Sequence, residues 1–279
     1  MGAFLRDIIR ILDTIAPPAL AEPWDNVGLQ LGDPGLDVKA VWIALDPSPV
    51  VIDAACAGRI DLLVTHHPLF FRPLTRIDLQ SPIGAAIGQA LQCRLAVFSL
   101  HTNLDAVSQG LNDLLAQRLE LKRVRPLIGN PAVAGNRHGI GRVGLLARPR
   151  RLSELALSVK RRLGVESVRI AGDPQLRVQR VAVSTGSGSG VMPHFLQSDA
   201  QVLISGDLCY HDARDAEAAH RGLLDVGHFH SEQLMKNALV QRLAGALARK
   251  RLSVRVEACP LESDPFTFIL TRREGGHGR

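Results

Sequence analysis

The chain reads as an α/β protein built from two similar α/β domains, each a mixed sheet covered by helices, with a cleft between them. Three observations carry that reading. Short apolar, β-capable runs alternate with segments of helical spacing, the order expected where sheets are covered on both faces. An offset of 140 residues lays Val41-Trp42-Ile43-Ala44 on Val181-Ala182-Val183-Ser184, and Leu62-Leu63-Val64-Thr65 on Val202-Leu203-Ile204-Ser205. The third strand of each half then ends in a histidine with a carboxylate four residues on, His101-x-x-x-Asp105 and His228-x-x-x-Glu232, so the halves read as variants of one unit.

Each element follows from local pattern. Phe4, Leu5, Ile8, Ile9, Leu12 and Ile15 recur at helical spacing and stop at Pro17-Pro18, which predicts an amphipathic first helix. Trp24-Asp25-Asn26-Val27-Gly28-Leu29 is a loop leading into a short strand, and 38–45 is a strand. Pro47-Ser48-Pro49 opens a helix over 49–57, and 62–65 is a strand. A helix runs from Pro82 to Gln92, a strand covers 95–100 and a helix 108–119. The middle of the chain predicts a strand at 141–147, a helix at 152–163 with Ser153 as its cap, and a strand at 167–170. The segment 178–184 is a strand feeding Thr185-Gly186-Ser187-Gly188-Ser189-Gly190, followed by strands at 202–205 and 222–226 and a helix beginning near Glu232. The expected domains are 1–128, rejoined by a C-terminal segment of about 233–279, and 129–232.

Composition bounds the function. With 279 residues, 46% of them hydrophobic, the chain can bury one large or two medium cores, and two domains is the better reading. The formal charge of +6 comes from clusters at 148–151 and 160–162 and a tail with Arg272, Arg273 and Arg279. Such runs are ordinarily solvated faces; without interleaved aromatic residues they do not make a nucleic-acid surface, which stays a subordinate reading. Cys56, Cys93, Cys209 and Cys259 are isolated and lack C-x-x-C spacing, so they read as reduced core residues of a cytoplasmic protein. The N-terminus has no uninterrupted signal-peptide core and no apolar run approaches a membrane span, so no membrane partner is expected.

The chemistry gathers at strand ends. An apolar run delivers His66 and His67 to its C-terminal end, where Pro68 stops the strand and where ligands sit in sheets of this kind. Adjacent residues of an extended strand point to opposite sides, so the two imidazoles aim at two centres or straddle one unless the backbone turns. A pair of metal ions satisfies that geometry; the plainer alternative is one buried, hydrogen-bonded histidine beside a solvated one. If the halves face each other, His66, His67, Asp105, His228 and Glu232 meet in one cleft, a donor set suited to two divalent ions, zinc, iron or manganese. Glu232 read alone is a helix-dipole partner, and Ser231 a cap. The turn at 185–190 is either a tight turn or a backbone cradle for a substrate phosphate; it lacks the Walker lysine and the dinucleotide spacing.

The stretches Trp24-Asp25-Asn26-Val27-Gly28-Leu29, His66-His67-Pro68-Leu69-Phe70, His101-Thr102-Asn103-Leu104-Asp105, Ser205-Gly206-Asp207 with His211, and Gly227-His228 with Glu232 resemble the signatures of the NGG-interacting-factor-three-like family. Its members are also known as dinuclear metal-centre hexameric proteins or GTP cyclohydrolase I type II homologues. The resemblance spans nearly the whole chain. It implies two α/β domains, a ring-shaped homohexamer and a two-metal site whose ligands carry over to His66, His67, Asp105, His228 and Glu232. The chain is short for the family and lacks the inserted domain of longer members. His101 and His211 fit proton-transfer roles better than ligation, and His230 is either a solvated neighbour or a surrogate ligand. The expected activity is metal-dependent hydrolysis of the cyclohydrolase, nucleotide or phosphoester type; the alternative is a non-catalytic metal-binding ring acting as a regulatory or protein-interaction module.

Overall fold

A computed structural model describes residues 2–130 and 137–269; the expected basic tail at Arg272, Arg273 and Arg279 lies outside the described residues. The first lobe opens with β1 (Ala3–Phe4) and α1 (Leu5–Ile15), followed by β2 (Gly28–Leu31), β3 (Asp37–Val38) and β4 (Ala40–Ala44). Helix α2 (Pro49–Ala57), β5 (Leu62–Thr65), α3 (Pro82–Gln92), β6 (Ala96–Ser99) and α4 (Thr102–Ala106) complete it. The prolines at the starts of α2 and α3 need no amide donor, and Ser48 and Ser81 cap those helices by accepting from Val51 N and Gly84 N.

The second lobe contains α5 (Leu111–Arg118), β7 (Lys122–Gly129), β8 (Gly139–Arg151), α6 (Leu152–Leu163), β9 (Arg169–Ala171), β10 (Arg177–Ser187), α7 (Met192–Gln197), β11 (Val202–Gly206), α8 (Tyr210–Ala218) and β12 (Gly222–Asp225). The short α9 (His228–Glu232) then leads through α10 (Leu234–Arg249) back to the first lobe, where β13 (Arg255–Ala258) pairs with β4.

The sheets run β13-β4-β5-β6-β2 and β7-β8-β10-β11-β12-β9. The first two strands of each central triplet pair in the same parallel register at the 140-residue offset, Val41 with Leu62 and Val181 with Val202. The third strands, β6 and β12, add in parallel at an offset of 126, Leu62 with Ala96 and Val202 with Gly222. The correspondence extends outward, because β2 lies antiparallel to β6 as β9 lies antiparallel to β12. Alternation along each strand explains the layers. Val41, Ile43, Leu62 and Val64 face α1 and α10, whereas Ala44 and Leu63 face α2 and α3. In the second lobe Val181, Val183, Val202 and Ile204 face α5 and α6, and Ala182 and Leu203 face the side of α7 and α8.

Several local expectations change. Strand β7 was not expected; it pairs with β8, so the chain enters the second sheet by Lys122, before the expected boundary at 128. Residues 102–106 form a short helix of their own before α5, and Arg151 rather than Ser153 stands at the N-cap of α6. Cys56 and Cys93 form a disulfide: α2 and α3 pack side by side and bring their Cα atoms to 5.7 Å, a proximity that spacing along the chain does not encode. Of the free thiols, Cys259 is buried as expected and Cys209 is exposed. No helix among the described residues is long and apolar enough to cross a membrane.

Candidate metal centre

The two adjacent histidines converge because the backbone does turn. Past Thr65 the amides of His66 and His67 both donate to Leu45 O, at 3.1 and 2.9 Å, and the Thr65 hydroxyl donates to His67 O at 2.7 Å. This knot ends β5 and places both rings on one side, with centroids 5.1 Å apart. From the end of β6, His101 joins them, 5.2 Å from the His66 ring and 5.7 Å from that of His67. From the second lobe, α9 supplies His228 and Glu232 from its first and last residues, so Glu232 closes this short helix rather than opening a longer one.

Glu232 is the hub. One oxygen lies 3.4 Å from His66 Nε2; the other lies 3.2 Å from His67 Nε2 and 3.1 Å from His228 Nε2. Asp105 approaches His66 Nε2 at 4.0 Å and accepts from the Thr185 hydroxyl of β10 at 3.1 Å, which ties the lobes together. The outward nitrogen of every imidazole is already engaged. Nδ1 of His66 meets Leu100 O at 2.8 Å, that of His67 meets Asp46 at 2.8 Å, that of His101 meets Asp25 at 2.8 Å and that of His228 meets Asp207 at 2.7 Å. Those acceptors hold a proton on Nδ1, so each Nε2 faces the cleft and, once its own proton has left, directs a lone pair there.

Two polar atoms at the centre, His66 Nε2 and Glu232 Oε2, are buried with no hydrogen bond among the described residues. Orphaned buried polar atoms are costly, and here they belong to good metal-ligand types. The donors fall into two overlapping groups that could hold an ion, His66 with His67 and His101, and His67 with His228 and Glu232, each with its atoms within 4.8 Å of one another. Electrostatics agree. Burial works against a charge on His67, but the hydrogen bond to Asp46 and the negative charge of the adjacent Glu232 carboxylate push its pKa up to about 10. The Glu232 carboxylate beside it raises His228 to about 9 against burial. Burial raises Asp105, with the nearby Glu232 charge adding to it, while Glu232, despite burial, is held well below the usual range by His66 and the other imidazoles. The cleft therefore demands positive charge, which protons or a cation can supply.

All five expected ligands and His101 thus meet in one place. His211 does not: it is exposed on α8 with its ring against Tyr210. His230 points away from the centre to Asp264 at 3.2 Å. Ser231 is no cap; it is buried, accepts from Gly186 N at 2.9 Å and donates to His228 O at 2.8 Å. Within the glycine-rich stretch, Gly186 is the floor for Glu232. Gly186 sits at φ +66°, and a Cβ there would lie 2.3 Å from Glu232 Oε1.

Sequence reasoning missed the carboxylates that orient the rings. Asp46 and Asp207 each follow a strand end, the signal that found the ligands, and could have been read the same way. Glu262 carried no such signal. It accepts from Leu45 N at 2.7 Å and Asp46 N at 2.8 Å, and pairs with Lys236 at 3.1 Å, anchoring the loop that aims Asp46 at His67.

A two-lobed α/β chain whose strand ends converge on a histidine and carboxylate cluster defines a class of candidate metal-binding proteins. The Duf34/NIF3 (NGG1p interacting factor 3) family matches residues 3–265, and the chain belongs to that family. A Streptomyces coelicolor protein named GTP cyclohydrolase 1 type 2 homolog is 34% identical over 266 residues, covering 94% of this chain and 93% of its own length. A Clostridium acetobutylicum protein of the same name is 31% identical over 268 residues, covering 96% of this chain and 100% of its own. A Bacillus cereus protein related to NIF3 has the same fold, with a TM-score of 0.90 at 24% identity over 96% of this chain and 99% of its own.

Proposed function

We propose that the cleft holds two divalent ions, zinc, iron or manganese, through His66, His67, Asp105, His228 and Glu232, and that the chain hydrolyses a nucleotide or phosphoester, with a GTP cyclohydrolase type of reaction within that class. The observation that carries the reading is the pair of orphaned buried atoms, His66 Nε2 and Glu232 Oε2, ringed by imidazoles whose outer nitrogens are already engaged. When bound, divalent ions supply Lewis acidity and neutralise developing negative charge.

The protein's own contribution is orientation and proton handling. Asp46 and Asp207 fix the tautomers of His67 and His228. His101, braced by Asp25 and with its other nitrogen turned to the cleft, is placed to take a proton from an attacking water or return one to a leaving group. His211 has no part in this mechanism. The names of the Streptomyces and Clostridium relatives motivate the cyclohydrolase member of the class.

The test is turnover of a nucleotide and phosphoester panel, GTP included, by metal-loaded protein, with Glu232→Gln and His67→Ala as controls. Activity that disappears in both variants while the fold persists supports a hydrolase. A metal-loaded protein inert toward the whole panel leaves a binding or regulatory ring. The reading includes a homohexamer, in keeping with the family; light scattering that finds a monomer at micromolar concentration removes that part.

A further inference from the structure

Resting on the metal-dependent reading above, the structure assigns a binding site for a planar heteroaromatic ring bearing an anionic group, a nucleobase with its phosphate, to the cavity that adjoins His101. That cavity has a volume of about 740 Å³ and is lined by Trp24, Asn26, Phe71, Leu74, Arg76 and Ile77 among others. Its size suits a ligand of that class.

The walls specify the chemistry. Trp24 and Phe71 are 58% and 56% exposed, unusual for large aromatic residues with nothing packed over them. Their ring centroids stand 5.8 Å apart, and each also abuts His101, at 6.1 and 6.3 Å. A platform of this kind binds flat π-systems by stacking, and every nucleobase offers a π-face. Polar groups select further. The Asn26 amide donates to Phe70 O at 2.6 Å and to Gln30 Oε1 at 3.1 Å, and since a carbonyl can only accept, the amide orientation is settled. Asn26 Oδ1, to which no donor is directed among the described residues, is left to accept from a ring amino or imino group. Asp25, also in the wall, has its oxygens committed to His101 and to Thr102. Arg76 is exposed without an ion-pair partner among the described residues, and it is the cation that would meet a phosphate.

Position links this cavity to the chemistry. The His101 ring that backs the aromatic platform belongs to the donor group with His66 and His67. A base held on Trp24 and Phe71 therefore lies one imidazole away from the metal-ligating atoms, so its own reactive carbon or its attached phosphate is what the centre would meet.

Trp42 is the other tryptophan, so Trp42→Phe leaves Trp24 as the sole reporter. Full-length, metal-loaded Trp42→Phe protein is titrated with guanosine 5′-monophosphate, guanosine and ribose 5-phosphate while tryptophan emission is followed. The expected result is saturable quenching by the monophosphate and by guanosine, and none by ribose 5-phosphate. Phe71→Ala should weaken both responses roughly tenfold, and Arg76→Gln should weaken that of the monophosphate alone. Equal responses to ribose 5-phosphate, unsaturable quenching, or indifference to Phe71→Ala overturns the site. So does emission that follows protein concentration and ignores the nucleotide, which would mark a contact between copies. If Trp42→Phe does not fold, equilibrium dialysis of the monophosphate against wild type and Trp24→Ala decides the same question, with equal binding as the overturning result. Turnover is scored separately: nucleotide binding without turnover removes the hydrolase and leaves the site, whereas turnover indifferent to Trp24 and Phe71 does the reverse.

Discussion

The two lobes share a strand plan but not a chemistry. At the end of β5 the first lobe carries His66 and His67; 140 residues on, at the end of β11, the second carries Gly206 and Asp207. The reason is steric. A Cβ on Gly206 would lie 2.5 Å from His228 N, because the start of α9 crosses directly over that strand end. A histidine there, as in the first lobe, would have no room. The second lobe instead delivers its candidate ligands from α9 and uses Asp207 to orient His228. One scaffold thus supplies rigid imidazoles from a knotted strand end and, opposite them, a carboxylate hub from a helix resting on glycine.

The comparison is broken most severely at the hub. Glu232→Gln removes the one carboxylate that all three neighbouring imidazoles share, and metal content measured by elemental analysis should fall, with apparent affinity down by more than about 100-fold, at or beyond the upper end seen for supporting residues. Unchanged metal content would show that the imidazoles hold metal without the carboxylate.

The pH response is the next largest effect. In the metal-free chain His67 and His228 hold protons up to about pH 10 and 9, so an incoming ion must displace them. Apparent affinity in chelator competition should therefore rise with pH, by about tenfold per pH unit for each proton displaced, and level off above those values. Stability of the metal-free protein should run the opposite way. Histidines whose folded pKa is raised contribute fully below their unfolded value near 6.5, and that contribution is lost as pH climbs through 9 and 10. Thermal melts with and without metal should thus diverge as pH rises; parallel curves would refute the proton competition.

Asp46→Asn and Asp207→Asn then compare the lobes directly. Each should cost about 10- to 100-fold in metal affinity with little loss of fold. Asp46→Asn should cost more, because the His67 side chain is less exposed than that of His228, at 24% against 36%. A larger effect from Asp207→Asn would reverse the ranking. Smallest is Glu262→Gln, which keeps the shape but weakens the grip on the Leu45 and Asp46 amides; a loss of up to about tenfold, confined to the His67 side of the centre, is expected in the same titration.

What was legible beforehand was whatever a short window of chain contains. The apolar strands, the helix after Ser48-Pro49 and each candidate ligand just past a strand were read from short windows of chain, and the repeat from comparing two such windows, because strand period, proline stops and capping act locally. Family resemblance strengthened the ligand set but could not show what orients it. The tertiary structure alone decided that His66 and His67 face one cleft, since the turn on Leu45 O joins β4 to β5. It decided that Asp46 aims His67 from 21 residues away and that Glu262 holds that loop from 216 residues away. The meeting of Cys56 and Cys93, the pairing of β7 and the fall of Gly186 beneath Glu232 are of the same kind. Such contacts are set by how separate segments pack, and no periodicity in the sequence records the distance between two segments that meet only when the whole chain has folded.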